Sequence, residues 1–391
     1  MQARRAYRIG ISGSYGGLNL GDEAILQSVV AQLKRALPAE ITVFSRDAAD
    51  TFKRHPGVER VVPVRELGRN EIMPEIERLD LLLLGGGGIL FDAEAHIFLR
   101  EVELALERSV PVMVYAIGAG PLKTPEAQKR VRECLSRADI ITVREAGARK
   151  VLEEVGVKRD IVVTADPAFL LEPEPIPPGM LEREGFHPER RLIGMSVREP
   201  GTAAPDIDEE MYHGLLANAA DYMAERFDAD IVLVPMEPRM LDVQHCHAVI
   251  AQMLWAKRAT VLKGDYTSAQ LLSLVGRFAF VVGMRLHFLI FAALQGVPFV
   301  ALPYVSKVHG FLADMKLVMP PLNRVNAGRL IAHIDYYWDQ REALIESNQR
   351  ALPALKQRAL QSNRLLMELL NQRTERAAKL GRDSEGRDAR A

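Results

Sequence analysis

Short apolar runs alternate with amphipathic stretches along most of the chain. Tyr7–Ser12, Ile41–Phe44, Leu81–Leu84, Val110–Ala116, Ile140–Val143 and Ile161–Val163 have the length and apolar content of buried strands. Between them apolar residues recur every three or four positions, as in Ile25, Val29 and Leu33. That period predicts helices at Asp22–Ala36, Arg65–Leu79, Ala95–Arg108, Pro125–Ala138 and Glu145–Val155.

The pattern breaks at Glu172–Glu189, where five prolines in eighteen residues cannot continue a helix or a central strand and mark a domain linker. It then restarts, with strands at Leu192–Val197, Ile231–Pro235, Ala259–Val261, Phe278–Val282 and Phe299–Leu302. The intervening helices are Asp208–Ala224, Leu241–Trp255 and Thr267–Leu274. Beyond about Asn326 the chain reads as amphipathic helix over Arg341–Leu369 and as a charged, frayed tail over Arg373–Ala391. Alternation of this kind is α/β architecture with largely parallel sheets. The expected division is a first domain over residues 1–172, a linker over 173–190, a second domain over 191–325 and C-terminal helices over 326–391.

The 391 residues suffice for two domains, each with its own core. A net charge of −1 argues against a general nucleic-acid binder, which needs a strongly basic face. Cys134 and Cys246 both fall in helical patterns, so a reducing compartment is expected and a disulfide framework is not. The basic start, MQARRAYRIG, lacks the apolar segment of a secretory signal. A cytoplasmic protein is the expectation.

Ligands of open α/β sheets bind beyond the strand C-termini, and the chemistry-bearing residues of this chain fall there. Gly10–Glu23 runs from a strand through a glycine-rich loop into a helix whose first turn carries Asp22 and Glu23. Acids at a helix N-terminus repel phosphate and suit sugar hydroxyls or capping; a plain capped helix start would have the same spacing. Leu81–Asp92 follows four leucines with four glycines, among them Gly86 and Gly87, more than a tight turn requires, so a ligand-facing loop is expected. Arg144 and Arg198 stand at strand exits, where a guanidinium can grip a carboxylate or phosphate. Glu237 follows a third such strand. Pro167 forces Asp166 out of the helical region and fixes a turn.

Gly283–Val308 gathers the most chemistry. Arg285 and His287 open the apolar helix Leu286–Leu294, and a buried strand then leads to Tyr304 and Lys307. Cations at a helix N-terminus beside a strand edge point to an anionic ligand. His287 stands among apolar residues, where a satisfied core histidine is the bland alternative. His55, His187 and His333 read as surface histidines. His245 and His247 flank Cys246 but do not face each other on a helix, and no cluster has metal-ligand spacing, so no metal is expected.

Taken in order, these motifs resemble the polysaccharide pyruvyl transferases. The likeness rests on Gly21-Asp22-Glu23, the Gly85–Gly88 run, Arg144–Val157, Asp166-Pro167-Ala168-Phe169 and Gly283-Met284-Arg285-Leu286-His287 leading to Lys307-Val308-His309-Gly310-Phe311. The chain departs from the family pattern at Val305-Ser306, before the Lys, and at Ala148, where a Ser is common. The resemblance implies two Rossmann-like domains facing across a cleft, as in GT-B glycosyltransferases. It implies transfer of the enolpyruvyl unit of phosphoenolpyruvate to a sugar of a cell-surface polysaccharide precursor, forming a pyruvate ketal and releasing phosphate, with no further cofactor. Arg144, His287 and Lys307 match the family's functional Arg, His and Lys. Arg285 would help hold the donor, and Asp22 and Glu23 the acceptor hydroxyls. Acceptors of this family are often lipid-linked, which would bring the protein to the inner face of the membrane. The competing expectations are a nucleotide-sugar glycosyltransferase on the same fold and a non-catalytic sugar-binding protein.

Overall fold

A computed structural model describes the backbone of residues 5–186, 189–199, 208–238, 241–302, 306–319 and 325–388, with side chains described as far as Glu375 apart from Ser306. His187, Tyr304 and Val305 lie outside the described residues.

Two parallel sheets carry the fold. The first contains β1 (Tyr7–Ser12), β2 (Ala39–Ser45), β3 (Arg60–Pro63), β4 (Leu81–Leu84), β5 (Gly87–Leu90), β6 (Val112–Ala119), β7 (Ile140–Val143) and β8 (Ile161–Val163). Its order is β3-β2-β1-β4-β6-β7-β8, with β5 paired to β6 beyond the end of β4. The second contains β9 (Arg191–Ser196), β10 (Ala229–Leu233), β11 (Ala259–Val261), β12 (Phe280–Gly283) and β13 (Phe299–Ala301), in the order β11-β10-β9-β12-β13. Both orders reverse direction beside the first strand of the sheet, between β1 and β4 and between β9 and β12. A crevice opens at such a point because successive connections leave to opposite faces. The Gly13–Gly21 loop, the glycine run, the exit of β9 and Gly283–His287 all lie at these two reversals.

Most strand expectations hold to within a few residues, and the differences have physical reasons. The glycine run is partly a strand: Gly87–Leu90 pairs with β6 with a register shift at Gly88/Leu90. The helix expected from Arg65 begins at Arg69, with Gly68 at its N-cap. Lys307 lies in the first turn of a helix, Ser306–Asp314, and not at a strand end. Helix Leu286–Leu294 is apolar all round because helices Leu20–Ala36, Ser268–Val275 and Arg341–Asp388 all pack on it.

Helix Arg341–Asp388 is continuous over 48 residues and returns to the first sheet. Ser362 Oγ bonds Thr142 Oγ1 at 3.1 Å and Thr164 Oγ1 at 3.0 Å, while Arg358 reaches the Thr164 carbonyl at 2.7 Å. The helix persists beyond Arg373, where charge density predicts fraying. Arg373 pairs with Asp139, and Thr374 bonds the Tyr7 hydroxyl. Among the described residues no helix is long and apolar enough to cross a membrane.

Candidate active site

The start of helix Leu20–Ala36 is clasped by the second sheet's connections. Asn19 caps it, accepting from the Gly21 and Asp22 N–H groups. Asn19 Nδ2 donates to Glu237 Oε1 at 2.7 Å, the Leu20 N–H to the Met236 carbonyl at 2.9 Å, and Ser268 Oγ to the Leu20 carbonyl at 2.6 Å. The two domains therefore meet at the residues that carry Asp22.

His287, on the facing helix, fits against this start. A Cβ on Gly21 would stand 1.8 Å from His287 Nδ1, so only glycine admits the imidazole. Across the cleft His287 Nε2 lies 3.4 Å from Asp166 Oδ2. That is ion-pair distance for a protonated ring, but the nitrogen makes no aligned hydrogen bond and is buried. Asp166 also accepts from Arg144 at 2.8 Å and, as the cap of a short 3-10 turn, from the Ala168 N–H at 3.0 Å. Burial pushes the Asp166 carboxyl up, yet His287, Arg144 and that N–H outweigh it and hold the group well below the usual carboxylate range.

Arg144 is 4% exposed and lies against Gly88 and Gly118. Burial opposes its charge, but Glu145, 2.9 Å from Nε, and Asp166 keep it firmly protonated. Asp22 differs from Asp166. Burial raises it, against the opposing fields of His287 and Lys307. Gly87, at φ +100°, brings the glycine run past Asp22, where an added Cβ would sit 3.1 Å from Oδ1. The structure thus collects Asp22, Arg144, Asp166, Gly87, His287 and Lys307. Phe169 and Phe311, from two separate motifs, stack at 6.3 Å behind them.

Other expected site residues have different work. Both carboxylate oxygens of Glu23 are engaged, by the Gly16 N–H at 2.9 Å and His55 Nε2 at 2.7 Å. Glu23 therefore anchors the glycine loop through both oxygens, and His55 is a buried partner and not a surface residue. Arg285 forms buried pairs with Asp242, through Nε and Nη2, and with Glu237 at 3.1 Å, so its charge is largely answered within the second domain. Arg198 pairs with Glu199 at 2.7 Å. Gly86 packs near Ile25 and the Ala116 carbonyl.

Tyr15 and a separate cavity at the end of β1 were missed in the sequence. The Tyr15 ring is fully buried, its hydroxyl has no hydrogen-bond partner, and a Cβ on Gly85 would touch it at 2.2 Å. Burial first, then Asp22, Glu23 and Asp166, raises its pKa well above the ordinary phenol, so the proton stays on. Beside Ser12 and Gly13 a cavity of about 380 Å³ is lined by Phe98, Arg46, Arg100 and Glu101. Arg46 lies over the Phe98 ring at 5.4 Å, and its Nε is buried without a partner. These groups come from distant positions that no local motif connects.

A family model of polysaccharide pyruvyl transferases matches residues 19–306. Amylovoran biosynthesis protein AmsJ of Erwinia amylovora is 21% identical over 368 residues, covering 90% of this chain and 86% of that protein. Among solved structures, the S. aureus MnaA–UDP complex superposes with a TM-score of 0.65 at 13% identity, covering 93% of this chain and 95% of that one. A Neisseria meningitidis UDP-GlcNAc 2-epimerase bound to UDP-GlcNAc gives 0.62 at 12%, covering 93% and 100%. E. coli ADP-heptose LPS heptosyltransferase II gives 0.51 at 15%, covering 86% and 99%. At such identities the structural likeness shows the fold alone, two Rossmann-like domains in the GT-B arrangement. The family match spans both domains and every residue gathered in the cleft except Tyr15 and Lys307, and on it the chain belongs to the polysaccharide pyruvyl transferase family.

Proposed function

We propose that the protein transfers the enolpyruvyl unit of phosphoenolpyruvate to two hydroxyls of one saccharide residue, with release of phosphate. The observation that carries the reading is the His287 ring nitrogen, buried without an aligned hydrogen bond between Asp166 and the first-domain helix start. A proton donor for a carbon atom needs such a placement: held on both sides, beside a carboxylate, and unspent on the protein.

The bond changes balance. C3 of the donor gains a proton from His287 and becomes a methyl group, and C2 becomes electrophilic. The first sugar hydroxyl adds at C2, the C2–O bond to phosphate breaks, and the second hydroxyl closes the ketal. Two hydroxyl protons are released; one replaces that taken from His287 and the other leaves with phosphate. Arg144 and Lys307 answer the carboxylate and phosphate of the donor. Asp22, less acidic than an ordinary aspartate, accepts a proton from an acceptor hydroxyl, and the ionised Asp166 stabilises positive charge at C2. Arg285 contributes indirectly, by fixing the strand exit from which His287 projects.

The cavity beside Ser12 and Gly13 is compatible with a saccharide acceptor that carries phosphate, because Arg46, Arg65 and Arg69 line it. A lipid-linked acceptor of that kind would draw the protein to a membrane surface. A thermal-shift panel tests the donor: phosphoenolpyruvate raises the melting temperature, while UDP- and GDP-sugars do not. Stabilisation by a nucleotide sugar alone would favour a glycosyltransferase.

A further inference from the structure

Away from the cleft residues, helices Glu209–Arg226 and Asp242–Gln252 of the second domain pack together and bring three ligating side chains to one point. Glu209 and His213 are four residues apart and share a helix face. His245 meets them from the other helix. His213 Nε2 lies 2.8 Å from His245 Nδ1, and His245 Nδ1 lies 3.4 Å from Glu209 Oε1. All three ligand atoms are within 4.8 Å of one another. Both imidazoles are buried, while the carboxylate is exposed and free to adjust.

Proton counting shows what the cluster lacks. If His213 donates to His245, Nδ1 of His245 turns a lone pair toward the Glu209 carboxylate. If His245 donates, its single proton serves both His213 and Glu209. One proton between three acceptors leaves the group electron-rich in either tautomer.

We propose that Glu209, His213 and His245 bind one divalent transition-metal ion of the zinc class. Two imidazoles and one carboxylate suit zinc, cobalt or nickel, and not calcium or magnesium, which prefer oxygen alone. Zn–N bonds of about 2.0–2.1 Å place tetrahedral nitrogens about 3.3 Å apart, so the rings need to separate by about half an ångström. The fourth position is left to water. The ion braces the helices that support the cleft. Tyr212, beside His213, donates its hydroxyl to the Arg198 carbonyl, and Asp242 at the start of the other helix holds Arg285.

Untagged, chelator-stripped protein titrated with Co²⁺ and Zn²⁺, followed by calorimetry and visible absorption, tests the site. One ion per chain binds, and Co²⁺ develops the intense visible bands of a low-coordinate ion. Glu209→Gln and His245→Ala each weaken binding at least about tenfold, while His247→Ala on the exposed side of the same helix does not. Should His245→Ala fail to fold, the exposed Glu209→Gln still decides. Absence of stoichiometric binding, or binding undiminished in Glu209→Gln, overturns the proposal.

Discussion

His287 Nε2, from the second domain, stands 3.4 Å from Asp166 Oδ2, from the first. Arg144 holds the same carboxylate oxygen at 2.8 Å, so one aspartate connects the cation and the imidazole. Asp166→Asn leaves Arg144 with Glu145 alone and His287 without its counter-charge. Removing one partner of a buried pair costs about 3–5 kcal/mol, and turnover is expected to fall at least about a hundredfold. The pH dependence has a definite sign. A carboxylate held below its unfolded value contributes stability above the ordinary range, about 3.9, and loses it as pH falls through the depressed value. Urea melts from pH 7 to pH 3 are therefore flatter for Asp166→Asn than for the parent protein.

Asp22 predicts the opposite. Burial disfavours its charge, so its folded-state pKa lies above the unfolded one, and the protein loses stability as pH rises from the unfolded value through the folded one. Asp22→Asn removes that penalty. Stability at pH 7 is expected to rise by about 1 kcal/mol, as when a strained functional group is neutralised, while transfer activity drops. Thermal melts paired with phosphate-release assays check both halves.

Gly21→Ala places a methyl group in the His287 ring. Alanine favours a helix over glycine by about 0.8–1.0 kcal/mol, so the helix itself survives. Activity is expected to fall more than about tenfold with the circular dichroism spectrum unchanged. A fully active Gly21→Ala would show that the imidazole does not need its observed position.

The Tyr15 hydroxyl is buried without a partner, so its removal costs the fold nothing. Tyr15→Phe is expected to melt at or above the parental temperature. A lowered melting temperature would show that the hydroxyl contributes to the fold.

The alternation of apolar runs and the proline-rich break made the two-sheet architecture legible, because buried parallel strands and amphipathic helices have different periods. Arg144, Asp166 and His287 were legible as strand-exit residues. Partnership was not. Glu23 reads like Asp22, one position away, yet the helix turns it toward His55, 32 residues on. Arg285 reads like His287, but Asp242 and Glu237 engage it. Tyr15 looks like one more loop residue, since nothing local says that Gly13 and Gly85 will close over its ring. Burial and pairing arise from packing between distant segments, which neither spacing nor periodicity encodes.

Protonation of the donor carbon by His287 can be followed by incubating the protein and His287→Gln with phosphoenolpyruvate and a diol-bearing saccharide acceptor in D₂O, with phosphate and the product methyl group read by NMR. The parent protein is expected to release phosphate only with acceptor and to place one deuterium in the ketal methyl. His287→Gln is expected to show no turnover while phosphoenolpyruvate still raises its melting temperature. Near-parental ketal formation by His287→Gln would mean that another group delivers the proton.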